Sequence, residues 1–156
     1  MRKILLAIGI ALLASATFAQ APPPATEVAS VNLTAQVASI SSTQIQGQIN
    51  PVIYQLGGLY KATCYVITTV AASSSSTLPA CNVIYADADT GNTHTFALTS
   101  TSTANAVDTF GAPAGSGSTF NPKAGVAISF STTSYASTGG TAMAYAIHLR
   151  LEYVGP

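Results

Sequence analysis

The clearest pattern lies at the end of the chain, where Met143, Tyr145, Ile147, Leu149, Leu151 and Tyr153 alternate with Ala144, Ala146, His148, Arg150 and Glu152. A period of two over eleven residues predicts a β-strand with one buried and one wetted face. The same alternation places Val31, Leu33, Ala35 and Val37 on one face and Asn32, Thr34 and Gln36 on the other. Shorter runs near 43–49, 58–70, 81–87, 93–99, 105–110 and 125–132 bring the expectation to about eight strands. Between them SSSST, ALTSTSTAN, GAPAGSGST and SYASTGGT read as turns and loops. β-Branched and aromatic residues are plentiful, while Leu, Glu, Lys and Arg are scarce, which disfavours both a helical bundle and a disordered chain. The expected fold is all-β, an antiparallel two-sheet sandwich of jelly-roll-like form.

The first residues follow a different rule. Arg2 and Lys3 precede an apolar run from Ile4 to Ala14, and Thr17-Phe18-Ala19 offers the small residues that signal peptidase reads. The run is short of the roughly 20 apolar residues a membrane span needs. A cut after Ala21 would place Pro22 just beyond the scissile bond, so cleavage is expected after Ala19. The expected organisation is a signal peptide over 1–19, a proline-rich extended tether over 20–27 and a single β-sandwich domain over 28–156. The expected location is the periplasm, the cell surface or the medium, with no membrane span left after cleavage. A domain of this length buries enough surface for a core of its own.

Loss of the leader leaves Lys61, Lys123 and Arg150 against Glu27, Asp87, Asp89, Asp108 and Glu152, a net charge of about −2. No basic cluster remains to neutralise phosphates, which excludes nucleic acid as a partner and electrostatic attachment to an anionic membrane. Sparse charge also gives little repulsion between copies, so the chain either associates or stays soluble through Ser, Thr, Asn and Gln.

Cys64 and Cys81 are the only cysteines, and in an exported protein an even pair predicts a disulfide. If their strands form an antiparallel hairpin with the two cysteines opposite, Ala62 faces Val83 and Tyr60 faces Tyr85, so the apolar faces coincide. No C-x-x-C pair occurs, and the structural reading outweighs a redox one.

YADADTGNTHTF, residues 85–96, is the stretch where chemistry concentrates. Counted from Asp87, the sixth and twelfth positions hold Asn92 and Leu98, where a helical calcium loop needs glycine and a bidentate acid, so that loop is excluded. A looser calcium site would draw on Asp87, Asp89 and Asp108; the plain alternative is a polar hairpin turn between strands 81–87 and 93–99. Otherwise no cofactor is expected. His94 alternates with Phe96 and Leu98 and is expected on the buried edge of its strand; His148 lies on a polar face beside Arg150 and Glu152, where cross-strand pairing accounts for it. No G-x-S-x-G occurs and no Ser, His and Asp set stands out, so no enzyme is expected. A hydrolase would have to gather Asp87, Asp89, His94 or Glu152 into one deep cleft. Tyr60, Tyr85, Tyr145 and Tyr153 fall on core faces, leaving Tyr54, Tyr65 and Tyr135 as candidate ligand contacts. Asn32-Leu33-Thr34 has the form of a glycosylation acceptor but falls within a predicted strand, behind a bacterial-looking leader.

The succession GGLYKATCYVITTVAASSSSTLPACNVIYADADTGN, GVAISFSTTSY and AYAIHLRLEYVG resembles a group of small jelly-roll-like β-sandwich proteins found as exported bacterial proteins and as parts of phage virions. The likeness covers about residues 30–154 and rests on a Gly-Leu-Tyr strand opening, an Asp-containing turn, an Ile-Ser-x-Ser-Thr strand and a final Leu-Glu strand. It implies a jelly-roll-like fold and no catalytic residues. The signal peptide departs from a virion protein, which assembles in the cytoplasm. The expected function is a structural, assembly or adhesion role at or outside the cell surface, through self-association or another extracellular protein. The alternative is a small carbohydrate-binding module, calcium-assisted or not.

Overall fold

The computed structural model describes residues 26–45, 57–104, 106–111 and 119–156, so the signal peptide, most of the tether, Tyr54 and positions 46–49 lie outside the described residues. Among those described the chain is all-β, with eleven strands in three antiparallel sheets and no helix long and apolar enough to cross a membrane. β1 (Thr26–Gln36), β11 (Ala144–Gly155), β3 (Leu59–Val70) and β8 (Thr119–Phe120) form one sheet in that order. β2 (Thr43–Gln44), β9 (Ser129–Thr133), β5 (Ala80–Ala86) and β6 (Thr93–Ala97) form the second. β10 (Ala136–Ser137), β4 (Ser76–Leu78) and β7 (Ser102–Thr103) form the third. Thr26 and Glu27 thus belong to β1, not to the tether.

β11 lies inside its sheet between β1 and β3, with the inward face its alternation predicts, although Ala144 and Ala146, expected on the wetted face, are buried. Its inward residues Tyr145, Ile147, Leu149 and Leu151 are buried, as is Met143 just before the strand, while His148 and Arg150 are exposed. Register aligns three inward rows across the sheet: Ala29, Leu151 and Ala62; Val31, Leu149 and Cys64; Leu33, Ile147 and Val66. The alternation expected through Ala35 and Val37 breaks instead. Ala35 takes φ 55°, the pairing slips between Leu33 and Gln36, and Val37 points to solvent. A left-handed residue inserts an unpaired position, which moves every later side chain to the other face. At the opening of β3, Gly58 has φ +122° and a Cβ there would meet the Gly155 carbonyl, so the Gly-Leu-Tyr opening needs its glycine.

The second and third sheets share one register. Ala80 faces Thr133 in the second sheet, and Thr77 faces Ala136 in the third, so β4 and β5 against β10 and β9 form one ribbon with a break in its middle. Pro79, which has no N–H for a ladder, stands at the break on one side and Ser134, with φ 67°, on the other. On the far edge Leu98 N and Thr99 N both donate to Cys81 O, at 2.7 and 3.4 Å, a bulge that shifts β7 by one residue relative to β6. The stretches SSSST, ALTSTSTAN and SYASTGGT are therefore not wholly loop, since they supply β4, β7 and β10. Their Ser and Thr side chains pair as well as their backbones, with Ser75 Oγ 2.8 Å from Thr138 Oγ1. The strand expected at 105–110 does not form; Phe110 makes only an isolated bridge to Ile67 and residues 106–109 turn.

A single hydrophobic cluster draws on all three sheets, with Tyr60, Leu149 and Leu151 from the first, Val83 and Phe130 from the second and Leu78 from the third. Phe120 joins them, its ring centroid 6.1 Å from Tyr60, 4.8 Å from Tyr85 and 5.5 Å from Phe96. The buried Tyr145 hydroxyl donates to Ala38 O at 2.8 Å and lies 3.0 Å from Thr132 Oγ1, which accepts from Ile40 N at 2.7 Å.

Cys64 and Cys81 form the expected disulfide, with Cα atoms 6.6 Å apart. The expected hairpin is wrong. β3 pairs with β11 and β8, and β5 with β9 and β6, so the bridge runs between sheets instead of along one. The face argument fits either geometry, because Tyr60, Ala62, Val83 and Tyr85 all point at the shared core whether their strands lie side by side or face to face. The chain reverses in between at residues 71–75, before β4.

Two outcomes are expected. Replacing both cysteines by serine lowers unfolding free energy by about 3 kcal/mol, read from urea curves, because a loop of this length is released in the unfolded chain; an unchanged midpoint would count against the bridge as a stabilising cross-link. Burial, reinforced by the nearby Tyr153, pushes the Tyr60 phenol up to about 12 from 10.0, and burial also raises Tyr85 and Tyr145. The folded state therefore holds these protons longer than the unfolded state, so stability is full below pH 10 and declines as pH rises toward about 12. Urea midpoints measured across that window should fall, and less steeply in Tyr60→Phe.

Candidate functional site

The outward residues of the first sheet are set by the register that builds the core. Where Leu149 and Leu151 point inward, the alternate positions align Asn32, His148 and Tyr65 in one outward row, Ser30, Arg150 and Thr63 in the next, and Glu27, Glu152 and Lys61 beyond. Alternation sets the first two rows, and a register shift between Glu27 and Ala29 brings Glu27 opposite Glu152 in the third.

The first row carries rings. Tyr65 is 46% exposed and Phe110, held beside Ile67 by its bridge, is 60% exposed. Their centroids are 6.4 Å apart with planes 24° from parallel, and His148 lies 6.3 Å beyond Tyr65 at 29°. His148 Nδ1 is 2.8 Å from Asn32 Oδ1, which fixes the imidazole at the end of the row. The second and third rows carry charge. Arg150 Nε donates to Glu27 Oε2 at 2.9 Å and its Nη2 to Glu152 Oε1 at 2.9 Å. One guanidinium thus holds two carboxylates. Exposed pairs of this kind add little stability, but a fork with two partners has few rotamers left.

Between rings and charges lies an open groove of about 360 Å³, lined by Glu27, Asn32, Thr63, Tyr65, His148 and Arg150 among others. It offers hydroxyl, amide, carboxylate and guanidinium groups within reach of an aromatic surface. Of the sequence candidates only Tyr65 belongs to it. Tyr135 does not: its hydroxyl donates to Met143 O at 2.6 Å and its ring packs 5.9 Å from Tyr145, so it is a half-buried support of the core. Tyr54 lies outside the described residues.

The Asp87 stretch closes the β5–β6 hairpin, with Ala86 facing Thr93 and residues 87–92 turning. Asp87 Oδ1 accepts from Asp89 N at 3.1 Å, Thr90 N at 2.9 Å and Thr90 Oγ1 at 3.0 Å, and Gly91 supplies the φ of 72° that the turn requires. The Lys123 ammonium lies over Gly91, 3.7 Å from where a Cβ would stand. Asp108 sits elsewhere, at φ 65° with its amide on Thr68 O beside β3. Among the described residues no three His, Cys, Asp or Glu side chains come together as a metal site. His94 is exposed, not on a buried edge, and its ring lies 5.7 Å from that of its cross-strand partner Tyr85. Strand β6 is a sheet edge, so its pattern alternates without being covered.

Four of the residues lining the groove carry no signal of their own in the sequence: Glu27 falls in the expected tether, and Asn32, His148 and Arg150 fall on ordinary polar faces. Phe110, expected in a strand of its own, stands beside the groove against the Tyr65 ring. The signal for part of it is the pairing of two alternating strands: once β1 and β11 are placed side by side, Asn32 meets His148, whereas Glu27 meets Glu152 only through the register shift before Ala29.

Hydrogen bonds from the backbone and hydroxyl of Thr90, then from the Asp89 amide, with the His94 charge last, hold the Asp87 carboxyl below its ordinary 3.8. A depressed carboxyl contributes stability above its unfolded value and loses it as pH falls through the folded one. Carbon-detected titration should find Asp87 below 3.8 and Thr90→Val should move it upward; a midpoint unmoved by that change would assign the shift to another cause.

No family model matches the chain, and no curated protein matches it.

Proposed function

We propose that the protein is an exported, non-enzymatic β-sandwich of jelly-roll-like winding with a structural, assembly or adhesion role at or outside the cell surface, and that it acts through the outer face of the β11 sheet. The observation that carries this reading is the exposed row of Phe110, Tyr65 and His148 on the most extensively paired strands of the fold. Exposed rings on a stiff sheet suit contact, because apolar area is on offer and little motion remains to be frozen on docking. The shared register of the second and third sheets supports a two-layer arrangement, as does the Phe120 cluster between the layers. The disulfide fits an oxidising compartment and therefore export.

A non-enzymatic role is supported by how the face's ionisable groups are engaged. Glu27 and Glu152 are both tied to Arg150, and His148 to Asn32, so the groups that could move protons hold one another.

Full-length protein exported from an oxidising host should either form a defined oligomer by light scattering or be retained on isolated bacterial envelopes. Tyr65→Ser with Phe110→Ser should reduce that association about tenfold or more, a change of ~1.4 kcal/mol. Thermal unfolding should stay within a few degrees, since exposed side chains contribute little to folding. Equal association by the double variant, or none by the parent, would overturn the proposal.

A further inference from the structure

Resting on that contact surface, we infer that the groove between Tyr65 and Arg150 is a subsite for a neutral saccharide, whose C–H face lies on the exposed Tyr65 ring, with Phe110 beside it, and whose adjacent hydroxyls bond Glu27, Arg150 and Asn32. The charge arrangement selects against anions. Arg150 already carries two carboxylates at 2.9 Å, so a phosphate or carboxylate ligand would have to displace one and face the other.

A hydroxyl group meets no such conflict, because it donates to a carboxylate oxygen while accepting from a guanidinium or amide N–H. Neighbouring ring hydroxyls present this dual character at regular spacing. Glu27, Arg150 and Asn32 offer acceptors and donors interleaved across two adjacent strands. The apolar side of the ligand is met as well. A purely polar solute would leave Tyr65 wet and an aliphatic one would strand the ion pairs, whereas a sugar ring has one face of each kind.

Size and shape agree. About 360 Å³ lies near the low end of ligand sites, and the open groove takes a ring or two of an extended chain instead of enclosing a small molecule. Pre-ordering also agrees, since the Arg150 fork and the His148 to Asn32 contact hold their side chains in place before any ligand arrives.

The test is titration of the isotopically labelled full-length protein with a panel of neutral oligosaccharides, comprising β-glucan, α-glucan, xylan and mannan fragments, alongside oligogalacturonate. The expected result is saturable shifts centred on Tyr65, His148 and Arg150 with at least one neutral member. Tyr65→Ala should weaken that binding about tenfold or more, and Tyr65→Phe should keep it within about threefold, because the ring and not its hydroxyl carries the stacking. Silence across the neutral panel, tighter binding of the uronate than of any neutral member, or an unaffected Tyr65→Ala would overturn the inference. Envelope retention or oligomer formation that depends on Tyr65 and Phe110, but that no neutral saccharide competes away, would sink the saccharide while leaving the contact surface standing. Loss of both would remove the two together.

Discussion

The inward row of β11 is the interaction on which the rest of the molecule depends. Tyr145, Ile147, Leu149 and Leu151 are buried in a strand that has partners on both edges, so most of its length has a ladder to enter on either side and these side chains enter the core. Burial of each large side chain contributes roughly 1.5–3 kcal/mol, more than any exposed ion pair of the molecule supplies. A charge at Leu149 would have no water and no partner. The strands β1 and β3 are ordered by lying against this one, and their own alternation follows from its register.

The ribbon formed by the second and third sheets is held differently. Its strands are short, and four of its segments are rich in Ser and Thr, so apolar burial per strand is modest. What unifies it is a register kept through the break at Pro79 and Ser134, with side chain hydroxyls such as Ser75 and Thr138 adding bonds where the ladder thins. The Cys64–Cys81 bridge then ties this ribbon to the first sheet. Cys81 is also where the Leu98 and Thr99 bulge docks, with its N–H on Thr99 Oγ1 at 2.9 Å, so the covalent link joins the ribbon at a position already pinned on its other edge.

Legibility in the sequence followed the length of the elements. β11, β1 as far as Leu33, β3 and the β5–β6 hairpin were readable because alternation persists long enough to exclude other periods. The polar strands β4, β7 and β10 were not, since two or three Ser and Thr residues look the same in a turn and in a ladder, and only the partner strand decides. The disulfide was readable from compartment and parity, but its geometry was not, because parity states which face a residue occupies and not whether its partner lies beside it or across the core. For the same reason Tyr65 could be singled out as exposed, whereas the groove it lines required the cross-strand neighbours.

The groove and the core are one consequence of one register. A shift of β1 or β3 by a single residue against β11 would turn Val31 or Ala62 outward and at the same time separate Asn32 from His148, or Tyr65 from both. The hydrophobic term that resists that slip therefore also holds the outer groups in place, which weak exposed pairs could not do alone. This explains how a face with few charges keeps rings, amide and ion pairs within a few ångströms of one another: their positions are fixed from beneath. It also sets what the face is suited for. Side chains anchored by a sheet do not close around a ligand, so the proposed recognition depends on complementarity that exists beforehand.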